Sequence, residues 1–220
     1  MTTPMFNQIA KTYDRVNRIL SLGQDLRWRR RLARSLPLRP HLEVLDLATG
    51  TGDQIGALLE SGGSIRRAVG IDVADEMLAL ARKKFPEVEF LHADAQALPF
   101  AEKSFDAVTI SFGIRNVPEP VRALREMHRV LKPRGRALVL EFSMPSVWVR
   151  PMFLLYLRKV LPWLGGVFSR EKKAYQYLNR TIEKFPSGEK FCELMKQAGF
   201  QTVSCKKMNF GAVSLYIGEK

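Results

Sequence analysis

The sequence predicts an α/β protein: a mostly parallel, seven-stranded sheet with helices on both faces. A helical segment precedes it at the N-terminus, and a helical insertion follows the fifth strand. Three observations predict this. Short apolar runs alternate with helical stretches through the middle of the chain, the pattern of consecutive βαβ units. The first run ends in a glycine turn, Gly50-Thr51-Gly52, that leads into a helix. Two strand-like runs near the C-terminus can close the sheet as an antiparallel pair.

Residues 5–36 read as helical, because Ile9, Tyr13, Val16, Ile19 and Leu20 recur at helical spacing. Ser21-Leu22-Gly23 reads as a break, and Asp25 as the cap of a second helix through Arg34. Pro37 and Pro40 end the segment. Glu43 to Leu47 is the first strand, and Gln54 to Glu60 the helix after the turn. Arg67 to Asp72 and Asp75 to Lys84 form the next strand and helix. Val88 to His92 and Phe105 to Ser111 are the third and fourth strands. Pro120 to Leu131 is a helix stopped by Pro133 and Gly135, and Arg136 to Phe142 is the fifth strand. Residues 145–185 break the alternation with an aromatic, arginine-rich stretch. Gly188 to Ala198 is a last helix; Gln201 to Lys207 and Ala212 to Ile217 are the closing strands. The expected organisation is one domain: a cap (1–40), a core (41–144), an insertion (145–187), and a final helix with its strands (188–220).

The 220 residues are 46% hydrophobic and 26% charged, an ordinary globular mix that excludes a disordered chain. Two cysteines exclude a disulfide scaffold, and their spacing fits no zinc signature, so no metal is expected. No apolar run reaches the roughly 18–20 residues of a spanning helix, and the N-terminus has no secretory apolar region. A cytoplasmic protein is expected. The net charge is +13, with +7 in residues 1–40, +6 in residues 145–190 and a neutral remainder. Two basic segments of this kind suit an anionic surface, either nucleic acid or a membrane leaflet. Arg29, Arg30, Arg158 and Lys159 are the candidate contacts for a membrane, and Arg27-Trp28-Arg29-Arg30-Arg31 with Lys172-Lys173 for nucleic-acid phosphates.

The glycine turn carries the chemistry. Glycines after a strand let the backbone approach a ligand closely. The dinucleotide form needs a third glycine, and position 55 is isoleucine. Asp46 and Asp53 bracket the turn, and their charge would repel a pyrophosphate. That charge suits S-adenosylmethionine, which carries a sulfonium and an ammonium group and no phosphate. Asp72 ends the second strand, where a carboxylate can accept from a ribose diol; Asp94 follows the third, within reach of an adenine amino group. Asp46, Asp72, Asp94 and Ser111 all fall at carboxyl ends of strands, where open α/β sheets bind ligands.

Val44 to Asp53 (VLDLATGTGD) resembles the first motif of the Rossmann-like class I methyltransferases. Further stretches resemble one branch, the quinone-biosynthesis C-methyltransferases: the demethylmenaquinone and 2-polyprenyl-6-methoxy-1,4-benzoquinol methyltransferases. These are FNQIAKTYDRVNRILSLGQDLRW (6–28), DAQALPF (94–100), TISFGIRNV (109–117), RVLKPRGRALVLEFS (129–143) and YQYLNRTIEKFPSGEKFCELMKQAGF (175–200). The resemblance runs in order along nearly the whole chain. It departs from the family at Val16, where methionine is usual, at Asp25, where histidine is usual, and at Arg134, where glycine is usual. The last departure matters if residue 134 takes positive φ.

The resemblance implies cofactor contacts from Thr51, Asp72, Asp94, Ala95 and Ser111, with Gly50 and Gly52 beside them; Asp46 joins the set on charge. It implies methyl transfer from S-adenosylmethionine to a ring carbon of a polyprenylated quinol, giving S-adenosylhomocysteine. Arg115, Asn116 and Tyr13 are the candidate catalytic residues, with Asp14 and Asn17 beside Tyr13. For the general base, His92 reads as structural and Glu141 stays open. In the insertion, Trp148, Phe153, Leu154, Tyr156, Leu157, Val160, Leu161, Trp163 and Phe168 are expected to form the quinone side. Demethylmenaquinol is the expected substrate, in menaquinone biosynthesis; the benzoquinol of ubiquinone biosynthesis is the alternative, and an RNA-binding protein or RNA methyltransferase a more distant one. The expected partners are the quinol and, peripherally and reversibly, the anionic inner face of the cell membrane, without nucleic acid. The oligomeric state is open, a homodimer being one option.

Overall fold

The computed structural model describes residues 3–62, 64–160 and 172–220. Leu161, Trp163 and Phe168 lie outside the described residues. The strands are β1 (Leu42–Leu47), β2 (Ile65–Asp72), β3 (Glu89–His92), β4 (Phe105–Ser111), β5 (Leu131–Phe142), β6 (Thr202–Met208) and β7 (Val213–Glu219). They form one seven-stranded sheet in the order β3-β2-β1-β4-β5-β7-β6. β7 runs antiparallel to both β5 and β6, and the other pairings are parallel. All seven residues of β4 are buried, as suits a central parallel strand covered on both faces.

The helices are α1 (Thr3–Leu20), α2 (Gln24–Ala33), α3 (Asp53–Leu59), α4 (Asp75–Lys84), α5 (Pro120–Val130), α6 (Arg150–Leu155), α7 (Lys172–Lys184) and α8 (Glu189–Gln197). Strand residues alternate between the two faces of the sheet. Val44, Leu138 and Leu140 pack with Leu32 of α2, Ile55 and Leu58 of α3, and Leu78 of α4. Leu45, Leu47 and Val139 pack with Leu124 and Met127 of α5 and Phe191 and Met195 of α8. The chain therefore reverses its direction of winding between β1 and β4, and opens a crevice at their carboxyl ends.

Three details depart from expectation, the first being that β5 starts at Leu131, five residues before the expected Arg136. Asp25 is not the cap of α2: Gly23, at φ 73°, holds that position. Asp25 sits in the first turn, where Ser21 Oγ donates to it at 2.7 Å and Arg18 Nη1 lies 2.9 Å away. β2 begins two residues earlier than the apolar run, where Ile65 pairs with Leu42 of β1, and the Arg66 and Arg67 guanidinium groups there meet glutamates on β1 and β3.

Arg134 adopts φ 60°, in the turn where the resembling family has glycine. A non-glycine residue there costs roughly 1–2 kcal/mol, and glycine's greater freedom in the unfolded chain cancels part of any relief. Arg134→Gly is expected to stabilise the fold by about 1 kcal/mol, read as a melting temperature roughly 2–4 °C higher. An unchanged or lower melting temperature would contradict this net gain.

The insertion packs back onto the cap. α6 continues through a wide helical turn, Tyr156–Val160, and Tyr156 donates its hydroxyl to the Leu20 carbonyl at 2.7 Å. Leu157, Ile182 and Val16 bury a small apolar cluster of their own. α1, α6 and α7 thus form one roof over the carboxyl ends of the strands.

Candidate active site

The glycine turn sits where β1 meets α3. Gly50 and Gly52 both take positive φ, 57° and 83°, and Gly52 is the N-terminal cap of α3. Asp72, at the end of β2, fixes the turn. Its Oδ2 accepts the Gly50 N–H at 2.8 Å, and its Oδ1 accepts the Ala74 N–H at 3.0 Å. Burial raises its carboxyl above the ordinary range, and those two N–H groups pull it back. Each oxygen keeps a further lone pair for a ligand.

Asp46 is buried at the end of β1. Its Oδ1 accepts the Thr109 hydroxyl, while Oδ2 is buried without a hydrogen-bond partner. Burial pushes its carboxyl up to about 6. Ser111, at the end of β4, donates to Gln54 Oε1 at 2.8 Å. Asp94 is exposed after β3, and its Oδ1 accepts the Gln96 N–H at 2.8 Å; Ala95 beside it is buried. Thr51 is buried and donates its hydroxyl to Asp14 Oδ1 of α1 at 2.5 Å. Asp14 also pairs with Lys84 at 3.1 Å, and Lys84 bonds Asp53 at the start of α3. Arg18 reaches the same Asp53 at 3.5 Å. α1 is clasped in this way onto the glycine turn.

Beside these strand ends lies a cavity of about 740 Å³. Tyr13, Arg115 and Asn116 all line it, together with Trp28, Phe112, Phe142, Phe153, Leu178 and Ile182. None of the eight expected cofactor residues does, so two neighbouring sites are distinguished: a carboxylate-rich crevice and an apolar chamber. Arg115 stands at the chamber's polar end, in the short helical turn Ile114–Asn116 after β4. Its Nη1 donates to Glu141 Oε1 at 2.5 Å and to the Phe112 carbonyl at 2.6 Å, and its guanidinium lies 5.4 Å from the Phe142 ring centre. Asn116 Oδ1 accepts the Tyr177 hydroxyl at 3.2 Å. Burial raises the Tyr13 phenol, while Arg115 and Arg29 act against it.

One expectation needs correction, Arg29 as a surface contact, and two other residues gain definite partners. Glu141 is fully buried, bonds Arg115 through its side chain and backbone N–H, and also accepts the Phe142 N–H. It is the counterion of Arg115 and does not line the chamber. Arg29 is buried as well, and therefore cannot meet an anionic surface. Arg158 stays exposed at the surface and pairs with Glu183 in a bidentate arrangement at 2.7 and 2.9 Å. His92, read as structural, is exposed, bonds Asp75 at 2.8 Å and does not line the chamber. Sequence reasoning missed Gln54, Tyr177, Leu22 and Phe210. Their roles come from long-range packing that no local motif encodes.

A seven-stranded sheet in this order, with one antiparallel strand and a glycine turn facing acidic strand ends, defines a class I S-adenosylmethionine-dependent methyltransferase. The fold matches a solved Thermotoga maritima structure titled a SAM-dependent methyltransferase, possible histamine N-methyltransferase, with a TM-score of 0.71 and 22% identity over 100% of both chains. The ubiE/COQ5 methyltransferase family model matches residues 2–220, and the chain belongs to that family. It is 44% identical over 221 residues to the demethylmenaquinone methyltransferase of Thermus thermophilus, covering 98% of this chain and 100% of that one. It is 43% identical over 225 residues to the Campylobacter jejuni ubiquinone/menaquinone biosynthesis C-methyltransferase UbiE, covering 98% and 96% respectively. The buried, unpartnered Asp46 Oδ2 and the free lone pairs of Asp72 fit S-adenosylmethionine, a ligand carrying an ammonium group and a ribose diol.

Proposed function

We propose that this chain methylates a ring carbon of demethylmenaquinol at the mouth of the glycine-turn crevice. The observation that carries this reading is the apolar chamber of about 740 Å³ with a buried arginine at its inner end. A flat quinol ring and the first units of its tail fit such a lining, and a soluble polar substrate does not. The names of the Thermus and Campylobacter relatives agree with it, and the second also covers the ubiquinone pathway.

S-adenosylmethionine supplies an electrophilic methyl group. Thr51, Asp72, Asp94, Ala95 and Ser111 would hold it, with Asp46, Gly50 and Gly52 closing the crevice around it. The quinol ring carbon would become nucleophilic as the neighbouring hydroxyl passes its proton to water; it would take the methyl as the methyl–sulfur bond breaks, and then lose its ring proton to water to restore the aromatic ring. Arg115 stabilises that oxygen from a water-poor site, where a fixed cation acts strongly. Glu141 holds the guanidinium still. Asn116, oriented by Tyr177, and Tyr13 offer the other hydrogen bonds that set the ring in line with the methyl group.

The chamber opens at an apolar rim. Leu22 is 88% exposed and Phe210 is 82% exposed, and both line the opening. Both take positive φ, 52° and 55°, a conformation that costs about 1–2 kcal/mol in a non-glycine residue. Trp148, beside the lining residue Val149, is 94% exposed. Arg27, Arg30, Arg31 and Lys159 are exposed on the flanking segments. Among the described residues no helix is long and apolar enough to cross a membrane. These features support peripheral, reversible binding to an anionic leaflet, with the tip residues dipping into the interface.

Vesicle sedimentation tests this reading. The expected result is binding to anionic vesicles that weakens as salt rises, with little binding to neutral ones, and a clear loss in a Leu22→Asp, Phe210→Asp double variant. Equal binding to both vesicle types, or to neither, contradicts it. Tighter binding to RNA than to anionic vesicles would favour the nucleic-acid reading.

A further inference from the structure

Arg29 stands out among the buried groups. It is 8% exposed, and its Nε is buried without a hydrogen-bond partner. Among the described residues its side chain makes no ion pair. Its guanidinium lies 5.5 Å from the Phe112 ring centre, directly after Ser111 at the end of β4, and it lines the chamber. Its own backbone carbonyl accepts Gln54 Nε2 at 3.4 Å, which fixes α2 against the first turn of α3. Its charge acts on Asp46, Asp53 and Tyr13, which places it between the glycine turn and the chamber.

A buried cation without a partner is costly, and one of its kind persists where a ligand completes it. The complementary group is close by: Asp46 Oδ2, a buried acceptor that has the Thr49 hydroxyl beside it but makes no hydrogen bond of good geometry. One cation and one anion left open together match a zwitterion. We infer that Arg29 is a cofactor-binding residue that takes the α-carboxylate of the aminoacyl end of S-adenosylmethionine, with Asp46 Oδ2 facing the α-ammonium group. Arg115 and Arg29 then have separate tasks: Glu141 already neutralises the first, and the ligand neutralises the second. The inference rests on S-adenosylmethionine being the methyl donor.

Calorimetry with three ligands tests it: S-adenosylhomocysteine, decarboxylated S-adenosylmethionine, and methylthioadenosine, which lacks the aminoacyl end. Arg29→Met is expected to weaken S-adenosylhomocysteine roughly 10- to 100-fold, the range for a charged hydrogen bond. It should leave methylthioadenosine within about twofold, because that ligand never met the residue. The wild type should prefer the carboxylate-bearing ligand over the decarboxylated one, and Arg29→Met should lose that preference. Arg29→Lys, which keeps the charge, should retain part of it. A cooperative melting transition is confirmed first, because Arg29→Met also removes the positive charge that acts on Asp46 and Asp53. Equal weakening of all three ligands overturns the inference, as does unchanged binding of all three. Unchanged ligand binding with a raised KM for the quinol also overturns it, by assigning the oxyanion to the substrate. If the wild type binds none of the three, the methyl-donor assignment itself fails.

Discussion

Replacing Arg115 by alanine is expected to lower kcat about 10²–10³-fold, the loss seen when one donor to a developing oxyanion is removed. Affinity for S-adenosylhomocysteine should stay within about twofold. The reason lies in its counterion: Glu141 already neutralises Arg115, so the cofactor is not needed to complete it. The single variant strands Glu141, which is fully buried and takes its ion pair from Arg115. Leaving a buried charge alone costs about 3–5 kcal/mol and can unfold the protein. An Arg115→Met, Glu141→Gln double variant removes both charges and is the better test. It should fold, bind the cofactor product normally and turn over as slowly as the single variant. Wild-type turnover in a folded double variant would remove Arg115 from the mechanism.

The opposite split is expected at Asp72. Asp72→Ala should weaken S-adenosylmethionine binding roughly 10- to 100-fold, the equivalent of about 1–3 kcal/mol for hydrogen bonds to a charged group. The loss has two sources. The ribose diol loses its acceptor, and the Gly50 and Ala74 N–H groups lose theirs, so the turn itself loosens. Asp94→Ala should cost less, because that carboxylate is exposed and in the unliganded protein accepts mainly from Gln96. Calorimetry on the two variants side by side checks the order. Unchanged affinity in folded Asp72→Ala would contradict the assignment.

The core was legible because local pattern and tertiary structure agree there. β4 is an unbroken apolar run and is buried on both faces; the Gly50 and Gly52 positions need the positive φ they adopt. The order of acidic residues along the strand ends survived intact for the same reason, since sheet topology fixes which ends converge. Arg29 was misread because charge alone made it a surface residue. Only the packing of α2 against Phe112 and the chamber shows that it is buried. Glu141 was left open as a base because its partner lies 26 residues away in sequence and meets it through parallel strands. Leu22 sits in the predicted break, but its exposure beside Phe210 depends on two turns meeting at one opening.

The quinone pool of a strain lacking this protein tests the central claim most directly. The account predicts that demethylmenaquinone accumulates and menaquinone disappears, that the wild-type chain restores menaquinone, and that the Arg115→Met, Glu141→Gln variant does not. Accumulation of the unmethylated benzoquinol in its place would reassign the substrate within the same chamber. An unchanged quinone pool would contradict the account.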